Sequence, residues 1–181
     1  MTVFSLDEYI SNVTLKKHIP RKKAEENLPN NSDFRRELAS VYQDMGYEAA
    51  FFKSSCQHYG LACFSVEETQ YSLHVGEVVT IISEEEGESY AILRSIFSHE
   101  RNDQRFAFIV ISRFEITNLM KLECPVYKLR DTRQICSISV VDTTSTVHFV
   151  HCCINDGCTG DSGHDFGNNL YIRNMYFFKA V

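Results

Sequence analysis

Short apolar runs separated by polar breaks dominate the chain from Leu73 to Cys153: LHVGEVVTII, YAILRSIFSH, RFAFIVISRFE, CPVYKLRD, ICSISVVD and VHFVHCC. The runs are rich in Val, Ile, Phe and Tyr, which fit a pleated, half-buried surface, and turn or charge signals divide them. This spacing predicts a mainly β (α+β) fold, a small closed or partly open antiparallel β-barrel. Residues 106–111 are apolar at both parities, as in a strand covered on both faces. In residues 135–141, Cys136, Ile138 and Val140 alternate with Ser137 and Ser139. The polar stretches 84–88 and 99–103 read as hairpin tips, because their charges are cheap only in water. Residues 170–178 form a last, aromatic strand that docks back on the sheet.

The first 62 residues follow a different period and are read as a helical appendage with a basic linker, leaving 63–181 for the barrel. Ser5 and Glu8 have capping-box spacing, with Leu6, Tyr9, Ile10 and Val13 at helical intervals behind them, so residues 5–14 are expected to be a helix. Residues 15–32 carry prolines, asparagines and many lysines and read as a linker. Asn31 or Ser32 then caps a helix with Phe34, Leu38, Val41 and Met45 on one face, and Gly46 ends it. A second helix is expected from about Glu48 to Tyr59, with Ala49, Phe52, Cys56 and Tyr59 on one side and Gly60 as its stop. The apolar stripes of such a helical pair need cover, and the sheet is the available surface.

Composition narrows the classes. A hydrophobic fraction of 44% with 23% charged residues is that of an ordinary globule. No apolar run reaches the ~20 residues that a membrane-crossing helix needs. The N-terminal residues lack the charged-then-apolar pattern of a secretory signal, so an intracellular protein is expected. Seven cysteines in such a chain are expected as buried thiols or metal ligands rather than disulfides. A net charge of −6 excludes a generally cationic coat, but Lys16, Lys17, Arg21, Lys22 and Lys23 stand together. They read either as a solvated tether or as a patch for nucleic acid or another acidic partner.

Two further groups bear on chemistry. His151-x-Cys153-x4-Cys158-x5-His164 supplies two thiols and two imidazoles around the turn signal Asn155-Asp156-Gly157. Residues two apart on a strand share a face, so His151 and Cys153 point the same way, and a closed tetrahedral set of this kind holds a structural zinc ion. The same residues also fit a hydrogen-bonded histidine and buried thiols beside a glycine-rich turn. Tyr90, Phe114 and Tyr127 offer either an aromatic platform or ordinary core. Gly160-Asp161-Ser162-Gly163 and His151-Cys152 have the residue order of chymotrypsin-like proteases, but they lie too close together to build that fold. A hydrolase using Ser162, or Cys152 or Cys153, is therefore an alternative reading.

In order, the strands resemble a bromo-adjacent homology (BAH) domain. Its opening "V-G-D-x-V-x-V" strand is matched by VGEVVTI at 75–81, and its "Y-x-I-A-R-I" strand by YAILRSI at 90–96. Its "V-x-W-F-Y-R-P-E" strand resembles FIVISRFE at 108–115, and its closing strands resemble residues 135–140 and 147–152. The chain departs from the pattern in having no tryptophan and no arginine-proline step. The whole chain is also similar to a domain of fungal transposable-element proteins, in which a histidine-cysteine stretch precedes "H-D-x-N-N-x-L-Y-x-x-N"; here that segment is residues 164–174. The resemblance implies a nuclear, non-enzymatic module whose partner is a histone tail, another chromatin protein or nucleic acid. A zinc-stabilised interaction domain of a transposase assembly is the structural variant of the same reading.

Overall fold

In a computed structural model of the chain, residues 11–48, 56–66, 68–83, 87–101, 104–143, 146–152 and 169–176 are described. The strands are β1 (Ser11–Ile19), β2 (Cys56–Val66), β3 (Thr69–His74), β4 (Val78–Ser83), β5 (Gly87–Arg101), β6 (Gln104–Lys121), β7 (Cys124–Leu129), β8 (Gln134–Ser137), β9 (Val141–Asp142), β10 (Phe149–His151) and β11 (Leu170–Arg173). Two helices, α1 (Arg21–Ala24) and α2 (Asn31–Asp44), lie between β1 and β2. The fold is thus mainly β and antiparallel. Its main path runs β1-β2-β5-β6-β7-β11-β10, with β3, β4, β8 and β9 attached at its flanks.

Of the expected closed or partly open barrel, the antiparallel β character holds, and among the described residues the sheet is not closed. On one side of β5, its first half pairs with β4 and its second half with β2. On the far side of β6, β8 pairs with residues 108–111, and β7 takes over from Phe114. The segment from Gln134 to Asp142 pairs with β6 through β8 and with β4 through β9, and changes partner at a single 3₁₀ turn, Ile138–Val140. That turn also interrupts the continuous strand expected over 135–141. Gly76, at φ +97°, makes the corner between β3 and β4, and its amide donates to the Leu93 carbonyl. A side chain there would be strained by the left-handed backbone.

Three apolar clusters follow from this curvature. The inner face collects Ala62, Phe64, Ile81, Leu93, Ile96, Ile109, Ile111 and Ile138. The outer face of β5, β6 and β8 is covered by α2 through Leu38, Val41 and Tyr42 against Phe97, Phe108, Val110 and Ile135. A third cluster holds Tyr90, Phe114, Tyr127 and Leu129. Strands β5 and β6 are covered on both faces, as the two-sided apolar pattern of 106–111 predicted.

Helix α2 is the predicted helix, but its N-cap is Asn30 rather than Asn31 or Ser32, and it makes no side-chain cap bond. It ends in a Schellman motif: the Gly46 amide (φ +82°) donates to the Gln43 carbonyl and the Tyr47 amide to the Tyr42 carbonyl. The other helical expectations are corrected. Residues 11–14, placed in an N-terminal helix, belong to β1, and the rest of that expected helix lies outside the described residues. Residues 15–19, read as linker, complete β1. From Cys56 onward the expected second helix is β2, which runs through position 62, where the appendage was expected to end. His58 there faces Phe97 while Tyr59 joins the inner core, so a strand buried on both faces shows no two-residue period.

Candidate binding surface

The cationic stretch is built by an edge strand and a single helical turn. On β1, Val13 and Leu15 pack on the inner core while Thr14 and Lys16 are exposed. Lys17 has φ +58°, which interrupts the alternation. Gly60 on β2 lies beside it, where even a Cβ would meet the Lys17 Cβ and carbonyl oxygen at the ordinary contact distances of 3.4 and 3.6 Å. His18 is exposed and meets the Tyr59 ring edge-on at 5.9 Å. Pro20 then opens α1, its carbonyl accepting from the Lys23 and Ala24 amides. Buried Ala24 anchors the turn and leaves Arg21, Lys22 and Lys23 exposed.

Lysines on a sheet edge also discourage edge-to-edge pairing. Of the five cations, Arg21 pairs with Glu25 at 2.9 Å, an exposed contact worth little. The stretch after α1 is tied to the far end of the chain. The Arg133 guanidinium donates to the Glu26 and Leu28 carbonyls, the latter at 3.2 Å, and the Ile135 amide donates to the Glu37 carboxylate at 2.9 Å. The cations are therefore displayed on a segment fixed at both ends, not on a loose tether.

Tyr90, Phe114 and Tyr127 are brought together, but all three are buried. Their faces are occupied by one another and by Phe149 and Tyr171: Phe114 stacks on Phe149 at 4.4 Å, and Tyr90 meets Tyr127 edge-on at 5.8 Å. The Arg173 guanidinium lies 4.5 Å above the Tyr90 ring. Burial, followed by the hydrogen bond to Glu88, pushes the Tyr90 hydroxyl up to about 12. The group is core that reaches the surface at Arg173 rather than an open platform. Sequence reading missed Phe149, Tyr171 and Arg173, whose only signal was aromatic alternation in two very short strands.

Of the zinc set, His151 ends β10, edge-on to Tyr171 at 5.3 Å. Cys153, Cys158 and His164 lie outside the described residues, as does Ser162. Among the described residues, no group of three or more His, Cys, Asp or Glu is arranged to hold a metal ion. Cys152 is buried, its sulfur 3.8 Å from the Lys121 ammonium. The described cysteines 56, 63, 124 and 136 are free thiols, and burial raises Cys136 to about 12 and Cys56 to about 11.

Another group was misread. His99, expected at a hairpin tip, is fully buried and its Nδ1 is 2.8 Å from the Tyr42 hydroxyl, because the β5–β6 ladder continues to Arg101. Arg101 stacks over Tyr42 and Tyr47 at 5.2 and 5.3 Å and donates to the Glu48 carbonyl, closing the end of α2 onto the sheet. Among the described residues no helix is long and apolar enough to cross a membrane. No protein-family model matches the chain, and no curated protein matches it significantly.

Proposed function

We propose that this chain is a non-enzymatic, nuclear binding module related to transposable elements, which engages nucleic acid or an acidic chromatin surface through Lys16, Lys17, Arg21, Lys22 and Lys23. One observation carries the reading: a chain of net charge −6 gathers five exposed cations on one anchored edge. Such local charge favours phosphate or carboxylate partners by releasing their counterions. A histone tail is itself cationic and fits this edge poorly, so among chromatin partners an acidic surface is preferred. The resemblance of the strand order to a BAH domain supports a binding role, and the buried sheet is suited to act as frame while exposed segments supply contacts.

Fluorescence anisotropy with a labelled duplex, repeated across salt concentrations, tests this. Reversing Lys16, Lys17, Lys22 and Lys23 to Glu should weaken binding at least about tenfold and flatten the salt slope by about 0.9 for each phosphate no longer neutralised. Unchanged affinity and slope would remove the edge from the mechanism.

The same reading includes one structural zinc ion on His151, Cys153, Cys158 and His164, a ligand set whose chemistry suits it. Metal analysis of the purified chain should find about one zinc per chain, and chelation should lower its melting temperature. A metal-free chain that unfolds identically with and without added zinc would exclude it.

A further inference from the structure

Two guanidinium groups on the outer face of the sheet keep a hydrogen-bonding edge unused. Arg94 is the extra residue of a bulge in β5, where Leu93 pairs with Ile111 and Ser95 with Val110. Bulges re-aim a side chain, and this one turns a cation toward an otherwise apolar strand. The Arg94 Nε donates to the Ser112 hydroxyl at 3.2 Å. Ser112 is buried and lies two residues beyond Val110, on the face of β6 that α2 covers. On the other side of β6, β8 pairs Gln134 with Ile111, and one further step of that register brings Arg133 opposite Ser112. Arg133 stands two residues before Ile135 of the outer cluster. Its Nη1 donates to the Glu26 and Leu28 carbonyls, and Leu28 packs on that same cluster.

The row from Arg94 through Ser112 to Arg133 is thus a polar belt between two apolar clusters, Val110 belonging to one and Phe114 to the other. Both arginines are half-buried. Among the described residues neither is in an ion pair, and the bonds just named are the hydrogen bonds their guanidinium groups make. Arg94 therefore keeps its end-on edge, Nη1 and Nη2, and Arg133 its side-on edge, Nε and Nη2. Burial, with the Arg133 charge adding to it, holds the Arg94 guanidinium below its ordinary range; Tyr171 and Asp131 oppose this. Two like charges drawn half out of water are costly until a counter-charge joins them.

The open edges select that counter-charge. Each guanidinium edge takes two acceptor oxygens in a fixed fork. A carboxylate has two oxygens in all and satisfies one edge, whereas a phosphate group presents enough for both. We propose that Arg94 and Arg133 hold a phosphate group, carried by a nucleic-acid strand or by a free phosphate ester, with Ser112 positioning Arg94. The site is separate from the cations of β1 and α1, and failure of either leaves the other standing.

Thermal melts of the full chain in inorganic phosphate, against chloride at equal ionic strength, provide the test. The wild type should gain about 3–6 °C once phosphate exceeds its dissociation constant about tenfold. Arg94→Gln should weaken phosphate binding, read by titration calorimetry, at least about tenfold, while melting no lower than the wild type in phosphate-free buffer. Removing an arginine whose role is only structural lowers that melting temperature. Arg94→Lys, which keeps the charge but not the fork, should recover only part of the affinity. Arg130→Gln removes a nearby exposed cation that pairs with Glu115, and should bind phosphate as the wild type does. A wild type indifferent to phosphate overturns the proposal, as does an Arg94→Gln variant that responds equally or an Arg130→Gln variant that loses the response. A labelled single-stranded oligonucleotide separates the two sources. Weaker binding by Arg94→Gln assigns the phosphate to a strand, and unchanged binding assigns it to a free ester.

Discussion

His58 and His99 sit on neighbouring strands, both buried, in the layer that α2 covers. Burial, with Arg21 and His18 adding to it for His58 and Arg101 for His99, holds both below the 6.5 of a free imidazole; Glu25 and Glu100 oppose this. Both are therefore neutral in the fold at a pH where the unfolded chain already takes up protons. Their contribution to stability is complete above pH 6.5 and is lost as the pH falls below it. Thermal melts should show a lower transition at pH 5 than at pH 7.5. His58, whose Nδ1 finds no hydrogen-bond partner among the described residues, allows a direct check. His58→Leu should narrow the gap between the two pH values; an unchanged gap would place the acid sensitivity elsewhere. Neither histidine's burial was legible in the sequence. His99 stands beside Glu100 and Arg101, and only the continued β5–β6 ladder carries it inside.

Secondary elements were legible where one periodicity acted alone. Helix α2 has a single apolar face and a glycine stop, and both were readable; Tyr42, its most buried residue, was not, because a tyrosine beside Val41 falls outside the strict stripe. Since Leu38 is 1% exposed between α2 and the sheet, Leu38→Ala should cost about 2–5 kcal/mol and shift the urea midpoint accordingly. A much smaller loss would mean that α2 contributes little to the cooperative fold. Strands β1 and β2 escaped prediction for opposite reasons. Strand β2 is covered on both sides, so its alternation disappears into something that resembles a helical stripe. Strand β1 carries the lysines that an exposed edge requires, and its composition imitates a linker.

At the level of the molecule, the mainly β, antiparallel character was visible in the run of Val- and Ile-rich segments, whereas the choice between a closed and an open sheet was not. Closure depends on which flanks meet, and residues 134–142 decide that by crossing between β6 and β4 in a turn that alternation alone reads as strand. The cationic edge was visible as composition but not as a display, since its anchors, Arg133 and Ile135, are remote in sequence.

Those remote anchors also set a timetable. The Ile135 amide that Glu37 accepts lies 98 positions further along, and the Arg133 guanidinium that holds the Glu26 carbonyl lies 107 positions on. During synthesis, then, the N-terminal third emerges long before the strand it leans on exists. The apolar stripe of α2 must wait, uncovered, until most of the chain has been made, and it is the part of this protein that most needs shelter while the ribosome is still at work.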